Sequence, residues 1–379
     1  MTDSPAYVRH VALVDMRNYA ELDVELGPGT HVLVGANGQG KTNLIEAVVY
    51  LSTLSSHRVA SDAPLIRHGA DRAIIRADVV RDDRSLLVEI ELTPGKANRA
   101  RINRNPVPRS REILGIVRTV VFAPEDLSLV KGDPGDRRRF LDDLMVQRQP
   151  RLAGVRADFD RVLKQRNALL KSAGAARRRS SAEVDATLSA WDDQLARFGA
   201  EITLMRRDLI DALRPRSSGA YSELIPGGEN LDLRYRSAVG DMIDADMAGI
   251  YEELLRLLSE RRQDEIDRGV TLVGPHRDEL EISLGPAPLK GYASHGESWS
   301  AALALRLASY DLLTEEAAAP VLVLDDVFAE LDTSRRAHLA ERVASAPQVL
   351  VTAAVPADVP SGLTGRWYDV VSGTVTPRD

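Results

Sequence analysis

The chain has 379 residues, 44% of them hydrophobic and 28% charged, with a formal net charge of −7 and no cysteine. This length holds two or three domains, or one large domain with an insertion, and the composition suits a globular protein with a sizeable core. The missing cysteine excludes disulfides, thiolate zinc sites and cysteine nucleophiles, and the acidic balance excludes a surface that coats nucleic acid wholesale, leaving local basic patches.

The first residues carry no basic stretch followed by an apolar run, and no segment approaches the roughly 20 apolar residues of a bilayer span. A cytoplasmic protein without membrane contact is expected. Along the chain, Val11–Val14, Leu22–Leu26 and His31–Val34 read as short strands, with Gly27-Pro28-Gly29 as the turn before the third. Leu44, Val48 and Leu51 then share one helical face, and residues 73–93 and 117–122 return to strand patterning. A mixed sheet with helices threaded between its strands follows.

The character changes near residue 136. Val184, Leu188, Trp191, Leu195, Phe198, Ile202, Met205 and Leu209 recur at alternating spacings of four and three, an a/d seam. Leu152, Val155, Phe159, Val162 and Leu169 are spaced similarly upstream, and the connector from Lys171 to Ala182 is small, polar and basic. The simplest reading is an antiparallel helical hairpin, a short coiled-coil arm of about 45 Å for thirty residues at ~1.5 Å each. A further helix covers 247–266, and strands are expected at Val270–Val273, Leu280–Leu284, Val321–Leu324 and Val349–Val351. The expected division is 1–135 and 269–379 as two parts of one α/β head, with 136–268 as an inserted helical arm.

Gly35-Ala36-Asn37-Gly38-Gln39-Gly40-Lys41-Thr42 fits G-x4-G-K-[ST] in full, between a strand and a helix. In such a loop the glycines let backbone N–H groups wrap phosphate, the lysine reaches the β/γ-phosphates, and the threonine hydroxyl ligates Mg²⁺. ATP and Mg²⁺ are therefore the expected ligands, with Lys41 as a catalytic candidate. A carboxylate after a buried strand would complete the metal site, and Val321-Leu-Val-Leu-Asp325-Asp326 supplies one. Asp325 is the candidate Mg²⁺ ligand, and Asp326 the candidate to orient or deprotonate water. The following Glu330-Leu331-Asp332 could meet a neighbouring subunit. About 30 residues before that strand, Ser294-His295-Gly296-Glu297 opens a helix, another anion-favouring end. Ser-x-Gly plus helix, then apolar strand plus paired acids, is the order of ABC-type ATPases, in which the Ser-x-Gly loop caps a nucleotide held by a partner subunit. Thr352, ending the strand from Gln348, takes the switch position, where many such proteins carry histidine. No glutamine stands out to complete the magnesium shell; Glu125 is the acid nearest in context.

With these motifs in place, the chain resembles the RecF family, bacterial recombination and repair ATPases related to SMC heads. The resemblance runs nearly end to end: Asn18-Tyr19, Gly35–Asn43, Ser56-His57-Arg58, Phe122-Ala-Pro-Glu-Asp, Arg137-Arg138-x-Phe140-Leu141-Asp142, Gly274-Pro275-His276-Arg277-Asp278 and Leu324–Asp332. The signature loop departs from it, reading Gly296-Glu297-Ser298 where Gly-Gln-Gln is usual. The resemblance implies an α/β ABC-type head and an ATP-dependent homodimer. It further implies binding to DNA at single-strand/double-strand junctions or gaps, RecR as a protein partner in loading recombinase, and slow ATP hydrolysis that releases the DNA.

For the DNA, Arg99, Arg101, Arg104, Arg109 and Arg111 cluster without an intervening acid, with Asn103-Arg104-Asn105 as a hairpin turn. They suit phosphate contacts, and equally a solvated hairpin. Arg177, Arg178 and Arg179 at the arm tip are a second candidate, against a plain solvated loop. The rival readings are another SMC- or ABC-type head, a metabolic P-loop kinase, and an ATP-binding clamp without significant hydrolysis.

Overall fold

In the computed structural model, residues 6–82, 84–175, 182–240 and 246–378 are described. The chain opens with a hairpin, β1 (Tyr7–Met16) and β2 (Tyr19–Glu25), then places β3 (Gly29–Val34) in another sheet and enters α1 (Lys41–Thr53). Strands β4 (Ala73–Arg81), β5 (Arg84–Leu92), β6 (Arg99–Ile102) and β7 (Asn105–Pro106) extend the hairpin into a six-stranded antiparallel sheet, ordered β2-β1-β4-β5-β6-β7. Then come β8 (Thr119–Phe122), α2 (Leu127–Lys131), α3 (Pro134–Arg148), α4 (Leu152–Ala175), α5 (Ala182–Leu224), β9 (Leu231–Arg236) and α6 (Met247–Arg268). The last stretch supplies β10 (Glu279–Leu284), β11 (Ala287–Pro288), α7 (His295–Glu316), β12 (Val321–Asp325), α8 (Thr333–Val343), β13 (Gln348–Ala353), β14 (Arg366–Val371) and β15 (Thr374–Arg378).

The second sheet is mixed, ordered β15-β14-β3-β13-β12-β8, with only the β14–β15 pair antiparallel. Both of its faces are covered, which is why β3, β12 and β13 read as unbroken apolar runs. Alternate residues serve different cores. Leu33, Val321, Val323 and Leu350 join α1 and the antiparallel sheet. Val32, Val34, Leu322, Leu324, Val349 and Val351 join α7 and the helices of the middle region. Ten of the thirteen residues of α1 are buried, so its apolar character extends around the helix rather than along one stripe.

In the arm, Arg166 meets Asp192 near the connection and Arg151 meets Glu201 farther from it, so α4 and α5 run antiparallel. Leu188, Leu195, Ile202 and Leu209 are buried, whereas Trp191, Phe198 and Met205 are only half-buried. A third helix changes the packing. Phe159 and Val162 of α4, Leu195 and Ile202 of α5, and Ile250, Leu254 and Leu258 of α6 form one cluster. At the end of α4, Leu170 rather than Leu169 is buried, and Arg166 occupies the interior.

Two strand expectations change. Residues 270–273 form no strand, because side chains satisfy their backbone. Asn167 Oδ1 accepts from the Thr271 N–H at 2.8 Å, Glu265 accepts from the Leu272 N–H at 2.7 Å, and His276 and Arg277 reach the Thr271 carbonyl. Strand β10 does form, but in a separate three-stranded antiparallel sheet with β9 and β11.

Candidate functional site

The carboxyl ends of β3, β13 and β12 lie side by side, because β13 pairs with β3 on one edge and β12 on the other. Ligands of open α/β sheets bind beyond such ends. The loop Gly35–Gly40 leaves β3 here and feeds α1. Gly38 and Gly40 have φ of +81° and +121°, and a Cβ on Gly40 would lie 2.8 Å from the side chains of Asn18 and Tyr19. Those residues come from the β1–β2 turn and hold the loop: Asn18 donates to the Gln39 carbonyl at 2.9 Å and Tyr19 to the Gly40 carbonyl at 3.0 Å. On the other side, the β14–β15 turn donates Ser372 N–H to Gln39 Oε1 at 2.6 Å and Gly373 N–H to the Gln39 carbonyl at 3.1 Å. Neither β14 nor β15 is among the strands expected from the sequence, yet together they supply half of this clamp. Lys41 is buried, its ammonium donating to the Gly35 carbonyl at 2.7 Å and the Ala36 carbonyl at 3.3 Å. Asn43 bridges Asn18 at 2.7 Å and Arg58 at 3.1 Å.

Asp325 ends β12 in register with Thr352 on β13. Its Oδ1 accepts from Thr352 Oγ1 at 2.6 Å and from Thr42 Oγ1 at 2.9 Å, so residues 283 positions apart meet at one carboxylate. Burial pushes its pKa up to about 6; the two hydroxyls pull the other way, and the charges of Asp326 and Glu125 add to the rise. Asp326 adopts a left-handed backbone at φ +49° and donates its N–H to Thr352 Oγ1 at 2.9 Å. Thr352 is therefore wholly engaged with the two acids and is itself fully buried.

One residue at the site has no assigned role in the sequence reading. His57 Nε2 lies 4.0 Å from Asp325 Oδ2, and both ring nitrogens are buried with no hydrogen-bond partner among the described residues. Burial lowers its pKa to about 4, so the ring is neutral. Local sequence explains how a residue beyond the end of α1 returns to this place. Leu54 caps the helix in a left-handed conformation, reversing the chain. The buried Glu46 carboxylate then draws the reversed segment back, accepting from Ser56 and lying 3.5 Å from Arg58, while Arg17 donates two hydrogen bonds to it at 2.8 Å. Despite the opposing effect of desolvation, these partners hold Glu46 below the usual carboxylate range.

Ser294 is the N-cap of α7. Its Oγ accepts from Glu297 N–H at 3.2 Å, and its own N–H donates to Glu297 Oε2 at 2.8 Å. Glu297, the departure in the signature loop, thus serves as a capping-box acid, its pKa lowered first by the Ser294 hydroxyl and then by the Ser294 N–H. Ser294 is exposed, and a Cβ on Gly296 would lie 3.0 Å from the Arg335 guanidinium. Among the described residues no hydrogen bond or ion pair joins Ser294 or Gly296 to Gly35–Asn43. The structure brings together the P-loop, Asp325, Asp326 and Thr352, and leaves the Ser294 loop apart from them.

The arginine cluster is only partly open. Asn103 and Arg104 form the two-residue turn between β6 and β7, with φ of +50° and +69°. Arg99, Arg104 and Arg109 are exposed. Arg101 instead pairs across the strands with Glu89, which Arg76 also reaches, and Arg111 lies against Gly154 of α4. Arg177, Arg178 and Arg179 lie outside the described residues. Arg137 is buried on Glu279 at 2.7 Å, Arg138 donates to the Asp278 carbonyl at 2.8 Å, and Arg139 to the Ser56 carbonyl. Among the described residues no helix is long and apolar enough to cross a membrane.

The family model of the RecF/RecN/SMC N-terminal domain matches residues 7–359. A DNA replication and repair protein RecF of Streptomyces avermitilis is 62% identical over 97% of this chain and 99% of its own length. The chain belongs to the RecF family. RecF of Kineococcus radiotolerans is 56% identical over 98% of this chain and 100% of its own length. A solved structure of the recombination mediator protein RecF with ATP, of the RecFOR pathway, superposes with a TM-score of 0.90 at 27% identity, covering 99% of this chain and 98% of that one. The fold extends to an SMC head domain from Pyrococcus furiosus, with a TM-score of 0.55 at 16% identity and coverage of 98% and 96%. The RecF assignment accounts for the mixed sheet, the helical region and the P-loop together.

Proposed function

We propose that this RecF-family protein is an ATP-gated DNA-binding switch of recombinational repair and replication restart, in which ATP joins two copies of the chain. The observation that carries this reading is the exposed Ser294 at the head of α7, which among the described residues makes no hydrogen bond or ion pair with the chain's own P-loop. A second copy could present the Ser294 loop to the phosphates held by Gly35–Asn43. The relatives' names in DNA replication and repair, and the RecF structure with ATP, support the same reading.

In it, the N–H groups of residues 36–42 surround the β-phosphate, and Lys41 leaves the Gly35 and Ala36 carbonyls for the β/γ-phosphates. No cluster of three or more His, Cys, Asp or Glu able to hold a metal occurs among the described residues. Thr42 and Asp325, one hydroxyl and one carboxylate, instead fit Mg²⁺ shared with phosphates and water. That ion would neutralise phosphate charge on transfer to water. Asp326 orients the attacking water, and Thr352 holds Asp325 and the backbone of Asp326 in place. Weak, DNA-stimulated hydrolysis ends the clasp. The exposed Arg99, Arg104 and Arg109 are the described candidates for DNA phosphates, with gapped or junction DNA as the substrate and RecR as the protein partner. The head/arm division at 135 and 268 is supported by β3 and β8 sharing a sheet with β12–β14, although β9–β10 pairing crosses the second boundary.

The test is binding of the protein to gapped, single-stranded and duplex DNA, with and without ATP, beside Lys41→Met. ATP should strengthen binding to gapped DNA at least tenfold and do nothing for the variant. Binding that ignores ATP on every substrate counts against the switch.

A further inference from the structure

Beside His57 the head contains a cavity of about 140 Å³ with mixed walls, apolar from Val49, Val121 and Phe140 and polar from Glu125, Arg139 and Arg306. A single water needs roughly 10–15 Å³ of such volume and two or more polar partners, so the cavity has room and chemistry for several. His57 is one of its walls, and the same ring faces the candidate metal ligand, its Nε2 4.0 Å from Asp325 Oδ2. Oδ2 is the oxygen that neither Thr42 nor Thr352 engages, since both hydroxyls bond to Oδ1. Among the described residues neither ring nitrogen has a hydrogen-bond partner. Buried polar atoms of this kind are rare and call for an explanation.

We infer that His57 is a positioning residue for the Asp325 carboxylate, donating from Nε2 to Oδ2 while its Nδ1 takes a hydrogen bond from water in the cavity. The inference rests on the proposed nucleotide site and adds to it the group that fixes which carboxylate oxygen faces the ion. A carboxylate only accepts, so a ring nitrogen bonded to Oδ2 carries the proton, and Nδ1 is the nitrogen left to face water. Closing 4.0 Å to a hydrogen bond requires a shift of about 1 Å, and catalytic hydrogen bonds are often long before a ligand binds. With Oδ1 held by two hydroxyls and Oδ2 by His57, the carboxylate has a single orientation, as outer partners of metal ligands provide elsewhere. The donor comes from the Ser56–Arg58 turn, whose Ser56 carbonyl also accepts from Arg139 of α3. Asp325 is thereby tied to the helix that bonds Asp278 and Glu279 through Arg138 and Arg137.

The test uses full-length protein and three substitutions. His57→Gln places an amide N–H near the Nε2 position, His57→Asn near Nδ1, and His57→Ala removes both. Binding of a fluorescent ATP analogue is titrated with Mg²⁺ and repeated in EDTA, Mn²⁺ affinity of the nucleotide complex is read by electron paramagnetic resonance, and thermal unfolding checks the fold. His57→Ala and His57→Asn should weaken Mn²⁺ binding and raise half-saturating Mg²⁺ by about tenfold or more, with affinity in EDTA unchanged. His57→Gln should stay within about threefold of wild type. If His57→Ala does not fold, the contrast between Gln and Asn decides. Equal metal affinity in Gln and Asn variants, or a wild-type value in all three, overturns the role of His57 while leaving the nucleotide site intact. Wild-type protein that binds no nucleotide with or without metal would overturn both.

Discussion

The His276 ring lies tilted against Phe159 at a centroid distance of 5.9 Å, with Nε2 3.2 Å from the Thr271 carbonyl and Nδ1 buried with no partner among the described residues. Burial lowers its pKa to about 4. In the unfolded chain the same group titrates near 6.5, so as pH falls from about 6.5 toward 4 the unfolded state takes up a proton that the folded state refuses. Stability is therefore lost on acidification through that window and fully kept above it. Between pH 7.5 and pH 5, wild type should lose about 2 kcal/mol more than His276→Gln, measured by urea unfolding. Equal losses would remove His276 as the acid-sensitive group. The motif that carries this histidine, Gly274–Asp278, is visible in the sequence, but its purpose is tertiary. Arg206 of α5 donates to the Pro275 carbonyl at 2.7 Å, and Tyr235 of β9 to Asp278 at 2.6 Å, so the segment ties arm to head.

Among the elements, the arm departs most from a plain coiled coil. Arg166 of α4 is fully buried and donates to Asp192 of α5 at 2.6 Å, to Glu265 of α6 at 2.6 Å and to Thr271 at 2.8 Å. A heptad pattern cannot announce such a residue, because its charge reads as surface until three acceptors from other segments surround it. Removing one partner from a buried ionic cluster leaves uncompensated charge and costs about 3–5 kcal/mol. Arg166→Leu should lose stability on that scale in urea unfolding, and a loss below about 1 kcal/mol would mean that the cluster is dispensable. The same logic accounts for residues 270–273, whose β-branched run suits a strand while the side chains of α4 and α6 satisfy its backbone first.

For the whole molecule, the decisive question is where a nucleotide site is completed. If the Ser294 loop acts across a dimer, Lys41→Met and Ser294→Arg should each prevent ATP-dependent dimerisation alone. Mixed in equal amounts, they should form a dimer with one whole site, because each copy supplies what the other lacks. Light scattering with ATP reads the outcome; monomers in the mixture, beside a wild-type dimer, would sink the shared-site arrangement.

The sequence by itself determined the parts whose chemistry is local. Gly35–Thr42 announces a phosphate loop because backbone conformation and side-chain type are both set within eight residues. The apolar runs at 32–34, 321–324 and 349–351 announce strands of a sheet with helices between them, and their parallel pairing came from the structure. The arm is legible in the repeat of Leu188, Leu195 and Ile202. Tertiary structure decided everything that depends on reversal or crossing of the chain. It turned Ser56–Arg58 back toward Asp325 through Glu46, seated the β14–β15 turn on Gln39, and neutralised Arg101 with Glu89 on the neighbouring strand. These contacts join residues between 10 and 333 positions apart. No local pattern encodes such pairings, because each depends on which strand lies beside which and on what burial leaves a polar group to bond.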